Sequence, residues 1–287
     1  MGRFARSWHL CKASAHVVKQ DRELLWMPVL SFVSTLIAIA AVAGVGYVGG
    51  LWPEVQDAEG NVKPLAFVLT FALYIALAFV TLFFNAAVVS GATERLKGGD
   101  PTVGSALRGA WSKVGRIFLW SIVVATVNVI LQMLREASRR SRSPMLGSLL
   151  TSFAGMAWNL ATYFMVPVLL FEAEGIGSSF RRSAGLFKKT WGETVIGEAG
   201  IGLVAGVATL VVVLLSAFVI SLLAPAGIAG LVVGALLAVT AVALTVAYFA
   251  ILQGVYKAAL YQYATTGQAG GAFTPDDLGG AFHRRAA

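Results

Sequence analysis

Long apolar runs alternate with short basic and polar stretches along the whole chain. Six runs reach membrane length: Leu24–Val48, Leu65–Ser90, Ile117–Leu134, Met145–Phe171, Val195–Leu223 and Gly227–Tyr256. A spanning helix needs ~20 mostly apolar residues. Lipid offers no partner to an unpaired backbone group, and strand-type alternation is missing, so the runs predict helices. The third run is the shortest and carries Asn128 and Gln132. A half-inserted hairpin is the alternative there. Ala41-Val42-Ala43 imitates a signal-peptide cleavage site. The basic region before it is too long for an n-region, and the apolar run is too long for an h-region. The first run therefore reads as a span.

The polar stretches set the orientation, because cytoplasmic loops carry excess lysine and arginine. Arg3, Arg6, Lys12, Lys19 and Arg22 precede the first run. Arg95, Lys97, Arg108, Lys113 and Arg116 lie between the second and third, and Arg181, Arg182, Lys188 and Lys189 between the fourth and fifth. With six spans these fall on one side, which predicts a membrane protein with both termini cytoplasmic. The segment from Trp52 to Pro64 and the link around Pro225 fall opposite. The loop bearing Arg135, Arg139, Arg140 and Arg142 breaks the rule, which is a bias rather than a law; the alternative is a loop that meets anionic headgroups or an anionic solute on the outer face.

Composition agrees. The chain is 57% hydrophobic and 13% charged over 287 residues, with mean hydropathy +0.77. Soluble domains are ~45–50% apolar and ~25% charged. The net charge of +8 sits between apolar runs, which points to anionic headgroups rather than nucleic acid. Cys11 is the one cysteine, so no intrachain disulfide forms.

One basic pattern occurs twice. "FARSWHLCKAS" at Phe4–Ser14 and "FRRSAGLFKKT" at Phe180–Thr190 share Phe-x-Arg-Ser-x-x-Leu-x-Lys-x-Ser/Thr. On helices, Phe4, Trp8, Cys11, Ala15 and Val18 form an apolar stripe, as do Phe180, Ala184, Phe187 and Trp191. A weaker third example is Val103, Leu107, Ala110, Trp111, Val114 and Phe118. Each predicts a basic amphipathic helix lying in the headgroup plane. Each is followed by two spans. The predicted class is an all-α integral membrane protein of six transmembrane helices and three cytoplasmic-face amphipathic helices. They form three parallel repeats of amphipathic helix plus transmembrane hairpin. The units are about 3–98, 102–172 and 176–264 of a single membrane domain over 1–287; residues 265–287 form a cytoplasmic tail. Asp100-Pro101 and Thr274-Pro275-Asp276-Asp277 read as helix starts. The second predicts a short tail helix after a flexible "TTGQAGGAF" linker.

Five segments carry a family resemblance: "RSWHLCKAS…DRELLWMPVLS", "FFNAAVVSGATERLKGGDPT", "WNLATYFMVPVLLFE", "FRRSAGLFKKTWGE" and "AALYQYATTG". They resemble an uncharacterised prokaryotic multi-pass membrane family, a domain of unknown function. The resemblance implies a six-helix membrane protein and no particular activity. The amphipathic start leading into a proline-containing span is also similar, in arrangement alone, to CysZ-type sulfate permeases.

Candidate chemistry is sparse. His9 and His16 are seven apart, not at the spacing that places two ligands on one metal. The glycines around Gly197–Gly206 lack the strand and Lys-Ser/Thr ending of phosphate loops. No enzyme, metal or cofactor is expected. Gly202/Gly206 and Gly230/Gly234 form Gly-x-x-x-Gly faces that predict close packing of the last two spans, on each other or across an oligomer contact. Ionisable residues within spans are functional candidates by default. Glu198 and Lys257, with Gln253 nearby, could pair at the cytoplasmic ends of those spans; the plainer reading is that Glu198 favours a helix N-terminus while Lys257 snorkels. Asn85, Asn128 and Asn159 place one amide in each of the second, third and fourth spans.

Two functions follow. The first is a passive channel or facilitator for a small solute or ion, its path near Asn85, Asn128, Asn159, Glu198, Gln253 and Lys257. The alternative is a lipid-interacting, membrane-organising scaffold. Its anionic-lipid surface is Arg3, Arg6, Lys12, Lys19, Arg108, Lys113, Arg116, Arg181, Arg182, Lys188 and Lys189. Partners are membrane lipids with anionic headgroups and a possible homo-oligomer, with no nucleic acid.

Overall fold

The computed structural model describes residues 3–49, 64–140, 143–172, 175–271, 273–274 and 278, without the side chains of residues 3–8, 144 and 192–197. The segment Trp52 to Lys63, Arg142 and the Pro275–Asp277 helix start lie outside the described residues. So do the side chains of Arg3, Phe4, Arg6 and Trp8. Among the described residues the chain is helical and has no strand. The helices are α1 (Arg3–Gln20), α2 (Trp26–Val48), α3 (Pro64–Leu96), α4 (Val103–Trp111), α5 (Val114–Arg139), α6 (Pro144–Ala161), α7 (Met165–Phe171), α8 (Ile176–Leu223) and α9 (Gly227–Thr266). Short 3-10 turns occupy Arg22–Leu25 and Ala224–Ala226.

Five stretches are long and apolar enough to cross a membrane: Arg22–Val48, Pro64–Leu96, Val114–Arg139, Met145–Phe171 and Glu198–Thr266. They mark a membrane protein. The last stretch is 69 residues long and contains both runs predicted as the fifth and sixth spans, with the Ala224–Ala226 turn inside it. The third run is longer than its apolar window. The helix continues through Arg135 and Glu136 to Arg139, because charge ends an apolar run without ending a helix.

The chain forms two compact units. One comprises Met1–Pro28, Gly91–Val103 and Lys189–Ala287; the other comprises Val29–Ser90 and Gly104–Lys188.

In the first unit α1 packs on α9. Leu10, Val17 and Val18 of α1 and Leu252, Val255 and Ala259 of α9 are all buried. Gly267 ends α9 in the left-handed conformation, its N–H donating to the Tyr263 carbonyl, as glycine commonly does after a helix. Of the stretch predicted as a flexible linker, residues 265–268 are exposed, while Gly270 and Phe273 pack against the unit. A Cβ at Gly270 would lie 2.5 Å from the Leu96 carbonyl oxygen, and Phe273 and Leu278 are buried. The two glycine faces differ. A Cβ at Gly230 would stand 2.0 Å from the Leu223 oxygen, and one at Gly234 would stand 3.2 Å from the Ile220 Cα. At Gly202 and Gly206 a Cβ meets nothing within 4 Å. The close approach of α8 and α9 is therefore found beside their connecting turn and not along the predicted Gly202/Gly206 face.

In the second unit α5 packs on α6, and α7 on α5. Trp120 of α5 stacks on Trp158 of α6 at 5.6 Å, and Trp158 on Phe180 of α8 at 5.8 Å. Trp120, Met165 and Leu169 form a buried cluster beside this stack.

The fourth predicted span is not one helix. It breaks between Ala161 and Met165. Pro167 has no N–H for the Tyr163 carbonyl and disfavours helical backbone before it. A break inside an apolar span leaves backbone groups that lipid cannot satisfy. Ser183 of α8 satisfies two of them. Its Oγ donates to the Ala161 carbonyl at 2.8 Å and accepts from the Phe164 N–H at 3.1 Å. Ser183 and Phe164 are fully buried.

Ser183→Ala should therefore destabilise the protein by about 2 kcal/mol, within the ~1–3 kcal/mol cost of an unsatisfied buried polar group. Ser178, whose hydroxyl reaches only the Gly175 carbonyl at an exposed site, is the control. Thermal unfolding in detergent should show a clear loss for Ser183→Ala and almost none for Ser178→Ala. Equal losses would reject the bridging role.

Candidate functional site

The two copies of the basic pattern divide alike at Leu10/Leu186, Lys12/Lys188 and Ser14/Thr190, and differ at Ala13, which is buried, and Lys189, which is exposed. In α1, Leu10 and Ser14 are buried while Lys12 and Lys19 are exposed. In the matching part of α8, Ser183, Leu186 and Thr190 are buried while Arg181, Lys188 and Lys189 are exposed. The buried stripe Ser179, Ser183, Leu186 and Thr190 is one residue round from the predicted stripe Phe180, Ala184, Phe187 and Trp191. Trp191 is 61% exposed. The small hydroxyl residues face inward because their size lets another backbone approach.

The structure differs in two ways from three separate helices with free apolar faces. The inward face of α1 is spent on α9. The basic stretch of residues 180–190 is not a separate element, because α8 runs unbroken from Ile176 to Leu223; of the four residues between it and the predicted span only Gly192 is a helix breaker, and one glycine does not end a helix. In α4, Ala106 and Ala110 are buried while Trp111 is 66% exposed, and Phe118 of α5 is also exposed. Val103 starts α4, so Asp100-Pro101 is not its cap.

Several predicted lipid-facing cations are engaged within the protein. Arg182 Nε donates to both Glu172 carboxylate oxygens at 3.1 and 3.0 Å. Arg116 donates to the Glu172 carbonyl at 2.8 Å. Lys189 donates to the Ala264 carbonyl at 3.2 Å. Lys19, Arg108, Arg181 and Lys188 are exposed, and Lys113 is partly buried.

The predicted solute-path residues separate into two groups. Asn85, Asn128 and Asn159 belong to the second unit and are all exposed on its surface. Glu198, Gln253 and Lys257 belong to the first unit and are partly buried. The Glu198 carboxylate acts electrostatically on the Lys257 ammonium. Lys257 is not near a helix end, since α9 continues to Thr266. Gln132 accepts a hydrogen bond from the Tyr74 hydroxyl at 3.3 Å, linking α5 to α3. In the loop that breaks the charge rule, Arg140 pairs with Glu136 at 3.1 Å.

A cluster that sequence reasoning missed joins the start of the chain to the end of α3. Asp21 is 4% exposed and accepts from Arg95 Nε and Nη2. Arg95 Nη2 also donates to Asp100 at 2.6 Å. Two residues on, the Glu23 carboxylate accepts from the Val103 N–H at 2.8 Å, at the first turn of α4. An anion there also suits the positive end of the helix dipole. The signal was an acid placed between an amphipathic helix and an apolar run, but its partner lies 74 residues on.

The family model for DUF6159, a family of unknown function, matches residues 64–271. The chain belongs to that family. No match is found among curated proteins or solved structures, so the likeness to CysZ-type permeases gains no support.

Removing Arg95 leaves a buried carboxylate without its counter-charge. Arg95→Met should cost ~3 kcal/mol in chemical denaturation, the lower end of the range for breaking a buried pair. Asp21→Asn in the same chain should recover part of that loss. Absence of recovery would show that Arg95 acts otherwise.

Cys11 is buried against the same unit, and burial pushes its thiol pKa up. The reactive thiolate therefore forms only at higher pH than in an exposed cysteine. Maleimide labelling at pH 7.5 should be about tenfold or more slower in the folded protein than after denaturation. Rapid labelling of the folded protein would contradict the packing of α1 on α9.

Proposed function

We propose that this is a non-enzymatic, multi-pass protein of a prokaryotic inner membrane that engages anionic headgroups through its basic helical edges. The observation that carries this reading is the shared division of the two pattern copies. Leu10 and Leu186 are buried, as are Ser14 and Thr190, while Lys12 and Lys188 are exposed. A pattern that holds one face inward also fixes which cations remain outside. Cations near a negatively charged leaflet each contribute ~1 kcal/mol of attraction. The same division supports descent of both stretches from one repeated unit.

Six crossings fit this reading. At 1.5 Å per residue the 69-residue stretch Glu198–Thr266 would be ~100 Å long as one rod, against a hydrocarbon core of ~30 Å. A reversal at Ala224–Ala226 gives two crossings. With six, the basic stretches share the cytoplasmic side and both termini lie there.

A passive facilitator is the second reading. Its support is the break between α6 and α7, since irregular backbone at membrane depth is tolerated where it is enclosed by protein or lines a cavity. Asn159 lies in the last turn of α6 before that break. The exposure of all three asparagines favours the lipid reading, or an assembly of several copies that encloses them.

Lipid retention and flux separate the two. The purified protein, extracted from bilayers of mixed phosphatidylglycerol and phosphatidylcholine, should retain the anionic lipid preferentially by mass spectrometry. Combined Lys12→Gln, Arg181→Gln and Lys188→Gln should lower that preference severalfold, and liposomes should show no solute flux. Flux altered by Asn159→Leu, without lipid preference, would transfer the conclusion to the facilitator.

A further inference from the structure

The second unit contains an apolar cleft of about 420 Å³ that neither reading uses. Leu30 and Ser34, one turn apart on α2, form one wall. Phe83 and Phe84 of α3 form another, their rings edge-to-face at 5.4 Å. Leu107 of α4 closes a third side, and Arg108 and Trp111 of the same helix stand at the edge. The volume falls within the ~300–1,000 Å³ of small-molecule sites.

The cleft is built from a fixed seat. A Cβ at Gly109 would lie 1.9 Å from Ser90 Oγ, so α4 sits against α3 with no room for a side chain there. Ala106 and Ala110 face inward beside it. The Phe83 ring meets Trp111 edge-on at 6.0 Å, which anchors the outer wall. Arg108 is therefore held on a short rigid helix, three residues before Trp111 on one face. Its guanidinium is exposed and makes no hydrogen bond or ion pair among the described residues.

We infer that this cleft binds one anionic phospholipid, with an acyl chain between α2, α3 and α4 and the phosphate on Arg108. The wall chemistry selects a hydrocarbon chain, because the walls are apolar apart from the Ser34 hydroxyl, with Arg108 and the Trp111 indole at the edge. The guanidinium, without a partner among the described residues, selects an anion, and its planar fork suits a phosphate through two parallel hydrogen bonds. Trp111 beside it has the amphipathic ring found at headgroup level. This rests on the lipid reading above and narrows it from a basic edge to one stoichiometric site.

The test uses the full-length protein in detergent, titrated with phosphatidylglycerol and with phosphatidylcholine of the same acyl chains and followed by native mass spectrometry. One saturable, tight phosphatidylglycerol adduct is expected, with phosphatidylcholine weaker. Arg108→Gln should weaken the anionic adduct about tenfold and leave phosphatidylcholine unchanged. Ser34→Phe, which fills the cleft from another helix, should remove the tight adduct for both lipids. Lys188→Gln, outside the cleft, should leave it intact. Melting curves of each variant exclude misfolding as the cause, and Arg108→Lys supplies a milder second substitution expected to bind between wild type and Arg108→Gln. A tight adduct that survives Arg108→Gln and Ser34→Phe in folded protein overturns the inference, and leaves the broader reading standing if Lys188→Gln weakens it. No preference for the anionic lipid in wild type overturns both.

Discussion

The hydroxyl of Ser183 carries a demand set by the membrane itself. A polypeptide in hydrocarbon must pair its own N–H and C=O groups, and Pro167 makes that impossible for an unbroken fourth span. The chain opens between Ala161 and Met165, and one serine from a distant helix takes up both exposed groups. Because Ser183 lies in a basic segment, that segment must be held with its hydroxyl inward. The orientation then follows for its neighbours: Leu186 and Thr190 turn in, and Arg181 and Lys188 turn out. Backbone satisfaction in one span thereby decides which charges reach solvent.

The same logic explains what was legible in the sequence. Apolar run length located the membrane stretches, because hydrophobic thickness is a global constraint that composition records directly. The repeated motif was visible for the same kind of reason, as a periodicity. Its inward face was not. Helical periodicity favoured the aromatic stripe of Phe180, Phe187 and Trp191, since large apolar residues usually define a buried face. Here the small residues Ser179, Ser183 and Thr190 are buried instead, because close packing at this seam needs little volume. Proline in the fourth run was a readable warning of a break, but the residue that repairs it was not, since no local pattern encodes a partner nineteen residues away.

The polar cluster around Asp21 shows the same limit. Asp21, Glu23, Arg95 and Asp100 are ordinary charged residues at the ends of apolar runs, where charge is expected anyway. Only the fold distinguishes a solvated acid from one that is buried against a guanidinium. Likewise, the two glycine pairs look alike in sequence. One lies beside a tight turn where backbones touch, and the other faces open space. Spacing identifies where close approach is possible, while the geometry of the connecting turn decides where it occurs.

The packing of α1 on α9 links the first and last helices of the described residues. During synthesis the apolar side of α1 has no seat until α9 has emerged, and Asp21 has no cation until Arg95 is made. Long-range contacts of this kind form late and leave intermediates exposed. Helix α1 thus waits as an unclosed end until α9 is made. Its docking reports that the C-terminal span has arrived, so a chain truncated before α9 would carry a bare apolar and basic helix at its start, a ready target for quality control.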